Sequence, residues 1–221
     1  MTPPGRVGDN PLMIDMTAVD REIRAARAEL ADPDNVKGIL SLPTRKRIWR
    51  AMLDPADDEL SYQHRIRLKI ACVQHVHHLW YRAFPEDQRV EKMIALAQQL
   101  MNHQVDPVDA EDWADGLTNN IYCEVEDFNN ITQPAVFVAD ASAHMVTSAC
   151  YRDPDYDTAE ESDDIADDDE LLPDSLDESY SCASAAAGAL NWQPAEQTDV
   201  PARRAFWTWY LNEAIPTVLA T

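Results

Sequence analysis

Apolar residues recur along this chain at three- and four-residue steps over most of its length, a period that predicts helices and no convincing strand. Over residues 17–30 the positions Val19, Ile23, Ala26 and Leu30 mark one face, and Thr17 with Asp20 offers a capping box. Pro43 suits the first turn of a second helix carrying Ile48, Trp49, Met52 and Leu53, which must end near Asp54 because Pro55 follows. The longest stripe runs over 59–84 through Tyr62, Ile66, Ile70, Val73, His77, Trp80 and Phe84, until Pro85 stops it. One-faced helices follow over 86–103 and over 109–126, the latter with Trp113, Leu117, Ile121 and Val125 as its apolar face. Residues 134–151 leave few polar positions on any side and read as a central buried helix. The Ala- and Ser-rich stretch 180–190 allows close helix approach and has Gly188 as its breaker. Residues 199–215 open with an N-cap candidate and an early Pro201, carry Phe206, Trp207, Tyr210, Leu211 and Ala214, and stop before Pro216.

These elements predict an all-α fold, a single-domain irregular bundle of about seven to eight helices with a long acidic loop. Residues 1–14 are expected to be a flexible N-terminal segment and 15–221 one helical domain, with the acidic loop at 153–178. A length of 221 residues fits one domain, and six Trp supply material for a sizeable core.

Charge narrows the function. The net charge is −22, which repels phosphate backbones and argues against nucleic-acid binding. The acidity is unevenly placed: residues 1–84 carry 13 basic and 11 acidic side chains, and the remainder 5 and 29. Between Asp153 and Glu178 lie 14 acids and no base, the composition of a solvated loop or extended arm. The five glycines form neither GxGxxG nor GxxxxGK[ST], so dinucleotide and P-loop chemistry drop out. Cys72, Cys123, Cys150 and Cys182 are too scattered for a disulfide framework and read as thiols in a reducing compartment. The first residues lack a signal-peptide pattern and no run of about 18 apolar residues occurs, so a cytoplasmic protein without a membrane partner is expected.

Four groups of residues invite chemistry. Cys72, His75 and His78 share one helix, but zinc sites usually draw ligands from two elements; His75 and His78 fit a polar flank better, with His77 partly buried and hydrogen-bonded. Asp140 and His144, one turn apart on the buried helix, must find each other or other polar partners, and they are also half of a nucleophilic triad without a visible nucleophile. Asp153, Asp155, Asp157, Glu161 and Asp164 imitate an EF-hand loop, with Thr158 in place of the turn glycine. Glu213 is the odd member of the aromatic C-terminal helix, suited to capping inside the bundle or to an exposed binding edge.

The C-terminal string RRAFWTWYLNEAIP, together with SYSCASAAAGALNW and the acidic DSLDES before it, resembles the Imm5 family of bacterial immunity proteins from polymorphic toxin systems. The similarity runs from about Arg45 to Ile215 and is sharpest at Phe206, Trp207, Trp209, Tyr210, Leu211, Glu213, Ala214, Ile215 and Pro216. Two features depart from the family pattern: Leu176 stands where an aromatic residue is usual, and the acidic arm is longer. The resemblance implies a mostly helical, non-enzymatic inhibitor of a toxin encoded by a neighbouring gene, with no cofactor. An acidic inhibitor suits a basic toxin, a nuclease foremost, whose active cleft it would occlude. The expected toxin contacts are Asp163, Asp164, Asp167, Asp168, Asp169, Glu170 and Glu213, with Phe206, Trp207, Trp209, Tyr210 and Pro216 as a structural motif. Two other classes compete: an all-helical hydrolase or metalloenzyme using His and carboxylates, and an acidic calcium-responsive adaptor.

Overall fold

The computed structural model of the chain describes residues 13–158, 168, 171 and 176–221. In chain order the helices are α1 (Met16–Ala31), α2 (Leu42–Ala51), α3 (Asp58–Val76), α4 (His78–Ala83), α5 (Arg89–Met101), α6 (Pro107–Glu124), α7 (Thr132–Cys150), α8 (Glu178–Ala187), α9 (Val200–Trp209) and α10 (Ile215–Leu219). A π-helical turn, Tyr210–Ala214, joins α9 to α10. Since α3 runs almost directly into α4, and α9 into α10, these are eight helical bodies, an all-α bundle with no strand among the described residues. None of the described helices is long and apolar enough to cross a membrane.

Helix α7 is the axis of the bundle. Val136, Val138, Ala139, Ala141, Met145 and Val146 are fully buried, and α3, α4, α5, α6 and α8 all pack around it. Small side chains make this possible: α8 presents Ser179, Cys182, Ala183, Ser184 and Ala187 as buried residues, so two backbones approach closely. Tyr62 of α3 donates its hydroxyl hydrogen bond to the carbonyl of Ala149 at 2.8 Å. Arg65 donates to the carbonyls of Asp153 (2.6 Å), Ser148 (3.3 Å) and Tyr151, placing a cation at the negative C-terminal end of α7. These contacts fix where the acidic segment leaves the body.

Local chemistry moves several boundaries from their expected places. Asp15, not Thr17, caps α1, its Oδ1 accepting from the backbone N–H of Thr17 at 2.9 Å and of Ala18 at 3.1 Å. The expected single helix over 59–84 is broken at His77, whose Nδ1 lies 2.9 Å from the Gln74 carbonyl. On α6 the buried face is Ala110, Ala114, Leu117 and Ile121, and Trp113 is left 60% exposed. A strict four-residue spacing drifts about 40° per step on a helix of 3.6 residues per turn, which turns the first member of the expected stripe to solvent. Pro216 does not end the last helix; it sits in the first turn of α10, after the widened turn has already opened the hydrogen-bond ladder that proline would break.

Among the described residues two glycines need the left-handed region. Gly188 (φ 64°) ends α8 as expected. Gly38 (φ 65°) lies in the loop after α1, where an added Cβ would sit 2.6 Å from Cγ of Arg204. All four cysteines are free thiols: Cys72 and Cys182 are buried, Cys150 is half-buried, and Cys123 is exposed on α6.

Candidate functional site

Charged side chains meet inside the bundle where the two most distinctive strings of the sequence come together. Arg45, in the first turns of α2, and Lys69, on α3, are both buried. Around them stand Asp157, just beyond α7, Asp168, and the pair Asp177 and Glu178 that opens α8. Arg45 donates from Nη1 to the Leu40 carbonyl at 2.7 Å and to Oδ2 of Asp168 at 3.2 Å. Its Nη2 donates to Oδ1 of Asp168 and to Oδ2 of Asp177, the latter at 2.6 Å. Lys69 pairs with Asp157 at 3.0 Å and with Glu178. Asp177 also caps α8, accepting at Oδ1 from the N–H groups of Ser179 (2.9 Å) and Tyr180 (3.0 Å).

Aromatic rings close the cluster. The Arg45 guanidinium lies 5.5 Å from the Trp207 ring centre and 5.8 Å from that of Trp49, and Trp49 donates its indole N–H to the Tyr210 hydroxyl at 2.8 Å. Burial disfavours every charge here, and the pairings decide the outcome. Against burial, Arg45 and Lys69 hold the Asp177 carboxyl down at about 2, whereas burial wins at Glu178 and pushes it up to about 7 despite Lys69. The adjoining cavity is about 30 Å³, lined by Trp49, Ser61, His64, Lys69, Asp157 and Glu178, room for a water and not for a substrate. This arrangement locks α2, α3, α8 and α9 together.

The predicted site residues are distributed differently from expectation. Asp163, Asp164, Asp167, Asp169 and Glu170 lie outside the described residues. Asp168 was expected on a solvated arm, yet it is 1% exposed and bound to Arg45. The start of the arm is anchored too, since Asp157 pairs with Lys69 and the carbonyl of buried Thr158 accepts from Arg50 at 2.9 Å. The correction has a simple cause: two buried cations need carboxylates, and the arm supplies them. Glu213 is exposed on the π-helical turn. Phe206, Trp207 and Tyr210 are buried, Trp209 stacks on His75 with ring centres 3.8 Å apart, and Pro216 is exposed.

The other candidate groups separate in the same way. Cys72 is buried while His75 and His78 are exposed, and among the described residues no group of three metal-ligating side chains forms. His77 is partly buried and hydrogen-bonded, as its place on the stripe suggested. Asp157 turns to Lys69, leaving an EF-hand arrangement without one of its ligands; Glu161 and Asp164 lie outside the described residues. Asp140 accepts at Oδ2 from the Tyr122 hydroxyl at 2.8 Å, while its buried Oδ1 has no hydrogen-bond partner among the described residues. Burial raises its carboxyl to about 6, only partly offset by Tyr122. Asp140 and His144 line an open cleft of about 700 Å³ floored by α7 and walled by α6 and α8.

Arg45 and Lys69 escaped the sequence reading, although a signal for Lys69 was there. Lys69 stands three residues after Ile66 and four before Val73, on the apolar stripe itself, where a cation demands a buried partner.

The sequence model of one protein family, described as Immunity protein Imm5, matches residues 23–217. No curated protein matches the chain.

Proposed function

Because the chain belongs to the Imm5 family of immunity proteins, we propose that it binds a cognate toxin and neutralises it by covering the toxin's active cleft with an acidic surface. The family match over nearly the whole chain carries this reading. The net charge of −22 supports a basic partner, a nuclease foremost, since complementary fields speed association and disfavour wrong partners. The protein acts as a non-enzymatic inhibitor in the cytoplasm, on a toxin encoded by a neighbouring gene. Asp163, Asp164, Asp167, Asp169 and Glu170 steer the encounter, and Glu213 offers a further contact. Asp168 leaves this set, because its charge is committed to Arg45.

Coexpression with the toxin from the adjacent reading frame tests the reading: protection of the cells is expected, and loss of growth together with absence of a complex between the purified proteins overturns it. In stopped-flow mixing, changing the five arm carboxylates to Asn or Gln should slow association and flatten its salt dependence, with dissociation little changed. Identical rates and salt slopes would remove the arm from recognition.

A further inference from the structure

We propose that the outer face of α6, with the cleft it forms against α7 and α8, is the docking surface for a basic protein that presents arginine or lysine side chains to it. The inference rests on the immunity reading above and names the surface that makes the contact.

Charge comes first. From Asp106 to Asp127 the chain carries eight carboxylates and no Lys, Arg or His. Some are engaged internally: Asp106 caps α6, Glu124 binds Arg89, and Glu111 accepts from the Tyr151 hydroxyl at 2.9 Å. Asp109, Asp112 and Asp115 make no ion pair among the described residues. A face of this kind repels a second copy of so acidic a chain and attracts a basic one.

Aromatic exposure points the same way. Trp113 is 60% exposed and Tyr122 48% on α6, and Phe128, 52% exposed, lies 6.2 Å from the Tyr122 ring. Trp and Tyr are the residues most often found as binding hot spots, and their ring faces attract guanidinium and ammonium groups. A partner's arginine over Trp113 would meet an aromatic face and the carboxylates of Asp109 and Asp112 together.

Gly116 supplies an independent observation. It lies one turn beyond Trp113 inside α6, where glycine weakens a helix relative to alanine. Its φ is not positive, and a Cβ built there meets nothing within 4 Å, so neither backbone conformation nor internal crowding calls for glycine. What remains is a notch beside Trp113, opening on a groove of about 530 Å³ between α5 and α6. Lys92 and Arg89 border that groove, Arg89 already bound to Asp87 and Glu124, and set the limit of the acidic footprint on this side.

On the opposite side of α6 the cleft of about 700 Å³ has Asp115 and Tyr122 on its wall and Asp140 on its floor. Leu176 lines this cleft as well, and Tyr151, at the end of α7, donates its hydroxyl hydrogen bond to Glu111.

The test measures binding of the purified toxin domain from the adjacent reading frame to the full chain by calorimetry and surface plasmon resonance. Trp113→Ala should weaken binding about 30-fold, chiefly through faster dissociation, with an unchanged circular dichroism spectrum. Gly116→Arg should abolish binding, and Gly116→Ala should raise Tm by about 2 °C while weakening the complex, a split that a purely structural role would not produce. Val36→Ala, on the exposed loop between α1 and α2, should bind as the native chain does. If the native chain binds and both Trp113→Ala and Gly116→Arg bind within twofold of it, α6 is not the docking surface although the immunity reading stands. If the native chain does not bind, the immunity reading fails and this inference with it. A native homodimer dispersed by Trp113→Ala would assign the face to self-association and overturn the inference.

Discussion

Replacing Asp168 with Ala should destabilise the fold, despite the position of this residue in a run of acids that would ordinarily tolerate any change. The side chain is 1% exposed and contacts both terminal nitrogens of a fully buried Arg45. Removing one partner of a buried pair typically costs 3–5 kcal/mol, roughly, because the remaining charge is left uncompensated. Here Asp177 stays 2.6 Å from Nη2, so the loss belongs at the lower end, about 3 kcal/mol. For a chain of this size 1 kcal/mol moves Tm by about 2–4 °C, which predicts a fall of about 6 to 12 °C. Thermal melts and urea titrations followed by circular dichroism measure it, with Asp109→Ala as an exposed control expected to stay within about 0.5 kcal/mol. A fall below about 2 °C with an unchanged urea midpoint would show that Arg45 does not depend on Asp168. Below the melting temperature the variant should still associate with the toxin at the native rate, which separates a folding role from steering.

Three further outcomes follow from the same geometry. Asp140 has its carboxyl raised from 3.8 to about 6, so the folded state holds its proton more tightly than the unfolded one and stability declines as pH rises through that window. Asp140→Asn should abolish that decline, a difference of about 2 to 3 kcal/mol between pH 4 and 7 in paired urea titrations; parallel pH profiles would refute it. Trp207→Ala should cost about 3 to 5 kcal/mol as a core truncation, but Trp207→Phe far less, because the buried indole N–H has no hydrogen-bond partner among the described residues. Gly188→Ala should cost about 1 kcal/mol for its left-handed backbone alone. Gly38→Ala should cost more, since its Cβ also collides with Arg204; equal melting temperatures would contradict that contrast.

Most of the helices were legible in the sequence because they bury one stripe, and periodicity reports stripes; α7 was legible by the opposite sign, a helix apolar nearly all round. Caps and breaks were less so: Asp15 and Thr17 are both good N-caps, and the break at His77 leaves the apolar stripe uninterrupted. Trp113 shows the limit of reading hydrophobicity as burial, since two alanines take its place on the buried face of α6. Asp168 shows a different limit. Its composition is that of its neighbours, and its partner Arg45 lies 123 residues away, a pairing that no local pattern announces. The exposed α6 surface was hidden for a related reason, because the acidity of residues 106–127 was overshadowed by the denser run at 153–178.

The unequal burial of the four thiols gives the chain a chemical handle. Cys72 and Cys182 are enclosed, and burial raises both well above the ordinary thiol range; burial pushes Cys150 up to about 12. Because the thiolate is the reacting species, alkylating reagents at neutral pH should modify the folded protein first at Cys123, much more slowly at half-buried Cys150, and at Cys72 and Cys182 only through unfolding. Cys123 follows Tyr122 on α6, so the rate of its alkylation, read by mass spectrometry, reports when something covers the helix.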